Sequence, residues 1–79
     1  MKKQKYCEFG KALLRRMVEK NLTQKELAKR ANCERCQISC YVRGVYQPTT
    51  LTLMRLCMVL ELDISEMAGL MERDVQLNE

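Results

Sequence analysis

An all-α domain of five short helices is what this sequence predicts, and three observations predict it. Apolar residues recur at helical rather than alternating spacing, helix-starting and helix-stopping residues cut the chain into short segments, and aromatics are scarce. Phe9, Tyr6, Tyr41 and Tyr46 are the whole aromatic set, so the core is built from Leu, Met, Val, Ile, Ala and Cys, which suits packed helices. A chain of 79 residues supports one core. With 47% apolar and 30% charged residues it has the composition of a folded domain rather than a disordered tail.

The first helix is expected over about 8–20. Phe9, Leu13 and Met17 fall at i, i+4 and i+8, with Lys11, Arg15 and Arg16 off that stripe. Thr23 followed by Glu26 has the capping-box spacing, so a second helix of about two turns starts at Gln24 and turns Leu27, Ala28 and Ala31 inward. Asn32 stands where the chain turns sharply, and Asn enters the left-handed region at modest cost. A third helix runs over about 34–43 with Ile38 and Tyr41 on one side, and Gly44 stops it. Residues 45–48 connect it to a fourth helix over about 50–60, capped by Thr49. There Leu53, Leu56, Cys57 and Leu60 repeat at i, i+3, i+4 and i+7. Asp63 with Glu66 repeats the capping-box spacing and opens a fifth helix through Met67 and Leu70, expected to fray after Met71. The expected organisation is a basic arm over 1–7, a folded domain over 8–71 and an acidic tail over 72–79.

The net charge of +4 conceals a gradient. Residues 1–55 carry 13 Lys or Arg against 4 Asp or Glu, whereas residues 56–79 carry 1 against 6. A basic block on a small folded domain is the electrostatic footprint of a polyanion partner. The longest strongly apolar run, 56–60, is five residues, far short of a membrane span, so a cytoplasmic protein is expected. With no His, no Gly-rich phosphate loop and no convergent carboxylate pair, nothing supports an enzyme, and no cofactor or resident metal is expected.

Residues 23–44 hold small, apolar and turn-permissive side chains at the positions that two tightly joined helices require. Ala28 is small where the second helix approaches the third, Asn32 sits at the turn, and Cys33, Ile38 and Tyr41 anchor the third helix. The runs LTQKELAKRAN, then QIS, then Gly before Pro, then LTLMRLCMVLELDISEM resemble the Xre or phage-repressor (lambda-repressor-like, Cro/repressor-type) family of helix-turn-helix regulators, over about 9–67. The resemblance implies a compact five-helix DNA-binding domain whose second and third helices form the helix-turn-helix, with the third entering the major groove of double-stranded DNA.

Opposite Ile38 and Tyr41, the third helix carries Arg35, Cys36, Ser39, Cys40 and Arg43. Arg35 lies in the first turn, where the family places base contacts, and its planar fork suits the O6 and N7 of guanine. Gln37 borders that face and can pair with adenine, and Ser39 is a permissive hydrogen-bonder. Base contacts are therefore expected from Arg35, Cys36, Gln37, Ser39 and Cys40. Gln24 opens the second helix, where free backbone N–H groups suit a phosphate oxygen. Thr23 and Arg43 match family phosphate-contacting positions, and Lys25 joins them on charge.

Two departures from the family matter. Cys36 and Cys40 stand where polar base-reading side chains are usual, and a thiol is a poor hydrogen-bond donor. Base readout then narrows to a thymine methyl packed on sulfur, or gives way to recognition of DNA shape. Met17 and Val42 replace an Arg and a Glu that pair in many relatives. Exchanging both members of such a pair for apolar side chains preserves a fold that losing one would damage.

The cysteines, Cys7, Cys33, Cys36, Cys40 and Cys57, are expected to be reduced. Cys33 and Cys57 lie on apolar faces and read as small core residues. Cys36 and Cys40, one turn apart and expected to be exposed, form a pair whose oxidation or metal binding would block the groove-facing surface. That makes a thiol-gated regulator a hypothesis of the sequence.

The sequence thus predicts a sequence-specific DNA-binding transcriptional regulator, a repressor acting by operator occupancy. It is expected to work as a homodimer because one short helix reads too few base pairs. The dimer surface is expected from Leu62, Ile64, Met67, Leu70 and Met71. The competing reading is a protein-interaction module, antitoxin-like or anti-repressor-like, that keeps the fold and uses its C-terminal half to bind a protein partner.

Overall fold

A computed structural model describes residues 6–77 of the chain. Its elements are α1 (Glu8–Glu19), α2 (Gln24–Arg30), α3 (Arg35–Arg43), α4 (Thr50–Leu60) and α5 (Ile64–Leu77), with no strand among the described residues. The all-α expectation holds, and most boundaries fall within a residue of those the capping residues imply.

One core joins the helices. Phe9 and Leu13 of α1, Leu27 of α2, Ile38 of α3 and Leu56 and Leu60 of α4 are fully enclosed, and each contributes about 1.5–3 kcal/mol of burial. α1 packs against α3 and α5, α2 against α3 and α4, and α4 against α5. α1 and α3 approach so closely that a Cβ at Gly10 would overlap the Val42 carbonyl. Met17 and Val42 are both buried in this cluster, as their apolar exchange requires. Cys57 is buried, and Cys33 packs against the core partly covered.

The caps explain the helix ends. Thr23 Oγ1 accepts the Glu26 N–H at 3.1 Å while the Thr23 N–H donates to Glu26 Oε1 at 3.0 Å, completing the predicted box. Glu34, expected inside α3, is its N-cap, and Gly44 ends α3 at φ 78°. Asp63 Oδ1 accepts the Ser65 N–H at 2.9 Å at the start of α5. α4 ends at Glu61 in the left-handed region, φ 57°. Arg16 secures that end, with Nε donating to the Leu60 carbonyl at 2.8 Å and Nη2 to the Glu61 carbonyl at 3.1 Å. A cation at these free carbonyls complements the helix dipole. Lys20 Nζ, 2.7 Å from Glu61 Oε1, holds that exposed carboxyl below its ordinary pKa, mainly through its hydrogen bond.

Three expectations are corrected. α5 does not fray after Met71 but continues to Leu77, so residues 72–77 are helix rather than acidic tail. The reason is Asp74, which is buried and joins α5 to the opposite end of the chain. Its Oδ1 accepts the Glu8 N–H at 2.8 Å and its Oδ2 the Phe9 N–H at 3.0 Å, while Cys7 Sγ accepts the Gly10 N–H at 3.2 Å. Every N–H of the first turn of α1 is thereby satisfied. Cys7, assigned to the arm, is the N-cap of α1; the rest of that arm, residues 1–5, lies outside the described residues. Met67, expected at a dimer surface, is enclosed by its own chain, 3% exposed. A single apolar stripe on α5 must first seal the core, and Met67 is spent there; Leu62, Leu70 and Met71 also pack against it, partly covered.

Candidate nucleic-acid interface

The turn between α2 and α3 fixes the geometry of the site. Ala31 caps α2, Asn32 takes φ 60° as expected, and the Cys33 N–H reaches back to the Ala28 carbonyl at 2.9 Å. Ala28 and Ala31 are buried, and their small side chains admit α3 close to α2. The two helices pack on one another with α3 projecting its other side outward.

Burial of Ile38, Tyr41 and Val42 defines which side that is. At about 100° per residue, Cys36, Cys40 and Arg43, at i, i+4 and i+7, form the middle of the outward stripe. Ser39 and Gln37 flank it, and Arg35, though exposed, stands at its N-terminal edge. Cys36 is exposed, whereas Cys40 is partly buried, contrary to expectation. Arg43, the last residue of α3, and Tyr46, in the loop after it, lie beside it. Arg43 Nη2 lies 3.9 Å from Cys40 Sγ, and the Tyr46 phenol is raised in pKa chiefly by its hydrogen bond with Cys40.

Some candidates are committed to the fold. Gln37 Oε1 accepts the Glu34 N–H at 2.8 Å, which leaves its amide nitrogen as the group free to meet a base. Thr23 is first a helix cap: its hydroxyl accepts from Glu26 N and lies 3.3 Å from Glu26 Oε1. Gln24, partly exposed, and Lys25, exposed, occupy the first turn of α2. Arg43 folds along its helix, Nε donating to the Ser39 carbonyl at 3.3 Å.

Among the described residues, the cations here are free of carboxylates. The ion pairs among the described residues are Lys11 with Glu8, Arg16 with Glu19, and Lys20 with Glu61. None involves α2 or α3, so Lys25, Arg35 and Arg43 keep their charge available for a polyanion. Tyr46, 47% exposed in the loop after α3, stands edge-on against Tyr41 with ring centroids 5.6 Å apart. It belongs beside the stripe although the sequence pattern did not single it out. An aromatic just past the stop at Gly44 was the available signal.

Among the described residues no three His, Cys, Asp or Glu side chains converge as metal ligands, and no helix is long and apolar enough to cross a membrane.

A family model described as the Cro/C1-type HTH DNA-binding domain matches residues 12–72. No curated protein matches the chain in sequence. Among solved structures, the restriction-modification controller protein C.AhdI from Aeromonas hydrophila superposes with a TM-score of 0.70 at 23% identity, covering 76% of this chain and 91% of that one. The N-terminal DNA binding domain of SinR from Bacillus subtilis gives 0.71 at 21% identity, covering 76% and 88%. At these identities the structural likeness speaks to the fold.

Proposed function

Because the chain belongs to the Cro/C1-type helix-turn-helix DNA-binding domain family, we propose that it is a sequence-specific transcriptional regulator that represses by occupying a duplex operator. The observation that carries this reading is the outward stripe of α3, edged by Arg35 and ending in Arg43, with no carboxylate paired to either among the described residues. In the reading, α3 lies in the major groove with Arg35 on a guanine and the methyl or ring edges of bases against Cys36 and Cys40. Gln24, Lys25 and Arg43 hold phosphates.

The regulator acts as a homodimer, and the surface proposed for pairing shifts from α5 to α4. Leu51, Met54 and Met58, at i, i+3 and i+7, are 56%, 44% and 76% exposed, and Ile64 at the start of α5 is 38% exposed. Such a stripe on one face of a helix is more apolar than a monomer needs to show. The same stripe would serve the competing reading, a module that binds another protein. Selection of bound sequences from random duplexes, followed by titration across salt, separates the two. A regulator enriches a two-fold site and loses affinity steeply with salt; an interaction module binds no duplex even at low salt.

A further inference from the structure

Cys36 and Cys40 occupy the centre of the outward stripe of α3, where the DNA-binding reading gives them apolar contacts with base edges and makes no use of their thiol chemistry. Thiols donate hydrogen bonds poorly, and neither side chain is needed to fill the core. One is exposed and the other partly covered, one helical turn away. We propose that this pair is a two-coordinate site for a soft monovalent metal ion, copper(I), whose occupation switches off DNA binding at α3; the switching rests on the DNA-binding reading, the site does not.

Geometry selects this chemistry over its neighbours. Residues four apart on a helix hold their Cβ atoms about 5–6 Å apart, whereas a disulfide needs about 3.5–4.5 Å, so direct oxidation to an intrahelical bond is disfavoured. A linear thiolate–metal–thiolate unit with bonds of about 2.3 Å separates the sulfurs by roughly twice that, a span that suits side chains whose Cβ atoms stand about 5–6 Å apart better than a disulfide does. Zinc requires four ligands, and no third His, Cys, Asp or Glu converges with the pair among the described residues. Soft thiolate ligands select copper(I), zinc and iron–sulfur clusters; zinc and the clusters take four ligands, which leaves copper(I) for a pair.

The charge change explains the switch. Two neutral thiols release two protons, both sulfurs bond the metal, and copper stays in its +1 state, so no electron is transferred. The two thiolates and one cation leave a net single negative charge in the middle of the stripe. Arg43, with Nη2 3.9 Å from Cys40 Sγ, is positioned to compensate that charge and is thereby drawn away from phosphate. The occupied face is both bulkier and less cationic where the groove must enter.

The test uses the reduced full chain under anaerobic conditions, titrated with copper(I) against the chromophoric competitor bathocuproine disulfonate. One copper(I) per chain is expected, lost in Cys36→Ser and in Cys40→Ser and kept in Cys33→Ala, with helicity unchanged by circular dichroism. One equivalent is expected to weaken duplex binding at least tenfold in the wild type, and not to change the duplex affinity of Cys36→Ser from that variant's own metal-free value. No binding, or a stoichiometry indifferent to both serine variants, overturns the site. Copper-loaded protein that binds duplex as tightly as the metal-free protein overturns the switch. Metal-free protein that binds no duplex defeats the DNA-binding reading, and the stoichiometry still decides the site.

Discussion

The carboxylate of Asp74 accepts the amide of Phe9 at 3.0 Å, joining α5 to the first turn of α1 across 65 residues of sequence. With its other oxygen on the Glu8 amide at 2.8 Å, it neutralises two helix-terminal donors with one buried charge. Asp74→Ala leaves the buried Phe9 donor and the partly buried Glu8 donor without their partner and is expected to destabilise the fold by about 2–4 kcal/mol, since hydrogen bonds to charged groups are the stronger class. Asp74→Asn is expected to fall between. A chain ending at Met71 should lose as much stability as Asp74→Ala or more by urea unfolding; unchanged stability after that truncation would show that 72–77 is an appendage.

Met17 and Val42 are 4% and 2% exposed in the common core. Met17→Arg places an uncompensated charge there and is expected to cost about 3 kcal/mol or more. Val42→Glu should do likewise, and the double variant should recover part of the loss because the two charges can then pair. Thermal unfolding of the four proteins measures the coupling. A neutral Met17→Arg single variant would contradict the packed-pair account.

Helix positions were legible in the sequence because capping chemistry is local. Thr23 with Glu26, Thr49, Asn32 and Gly44 each satisfy or terminate backbone within a few residues of themselves. The C-terminal half of α5 was not legible, since Asp74 has its partners at Glu8 and Phe9, and no local pattern encodes a bond across the chain. Met67 shows the same limit from the other side. An amphipathic stripe says that a face is buried but not whether its own core or a second chain buries it, and here it is the core. The helix-turn-helix scaffold was readable from Ala28 and Ile38, but the approach of Tyr46 to Cys40 depended on how the loop after α3 folds back.

Burial raises the thiol pKa of Cys7 and Cys57 above the ordinary 9.0, and burial likewise raises the Tyr41 phenol above 10.0. A raised folded pKa means that the unfolded chain releases its proton first. Stability is then full below the ordinary value and is lost as pH climbs through the folded value. Urea midpoints under reducing conditions are expected to be flat around neutral pH and to fall above about pH 9, and Cys57→Val should flatten part of that fall. A profile with no alkaline loss would contradict these burials.

Met58, 76% exposed on α4, can be charged without disturbing the core. Met58→Glu is expected to leave the unfolding midpoint of the monomer unchanged, since exposed substitutions away from special features are nearly neutral. It should shift the sedimenting species from dimer to monomer and weaken operator binding. A wild-type chain that is monomeric even on DNA would remove the homodimer from the account, and a dimer indifferent to Met58→Glu would move its interface off α4.

The central claim, that α3 reads DNA sequence through its outward stripe, is tested most directly by Arg35→Ala measured on a selected operator and on a scrambled duplex of equal length and salt. Loss of one bidentate base contact predicts a fall of about 10- to 100-fold on the operator, with the scrambled duplex changed only by the salt-dependent share of one lost charge. Equal losses on both duplexes, or wild-type protein that does not prefer its selected site, would contradict the claim.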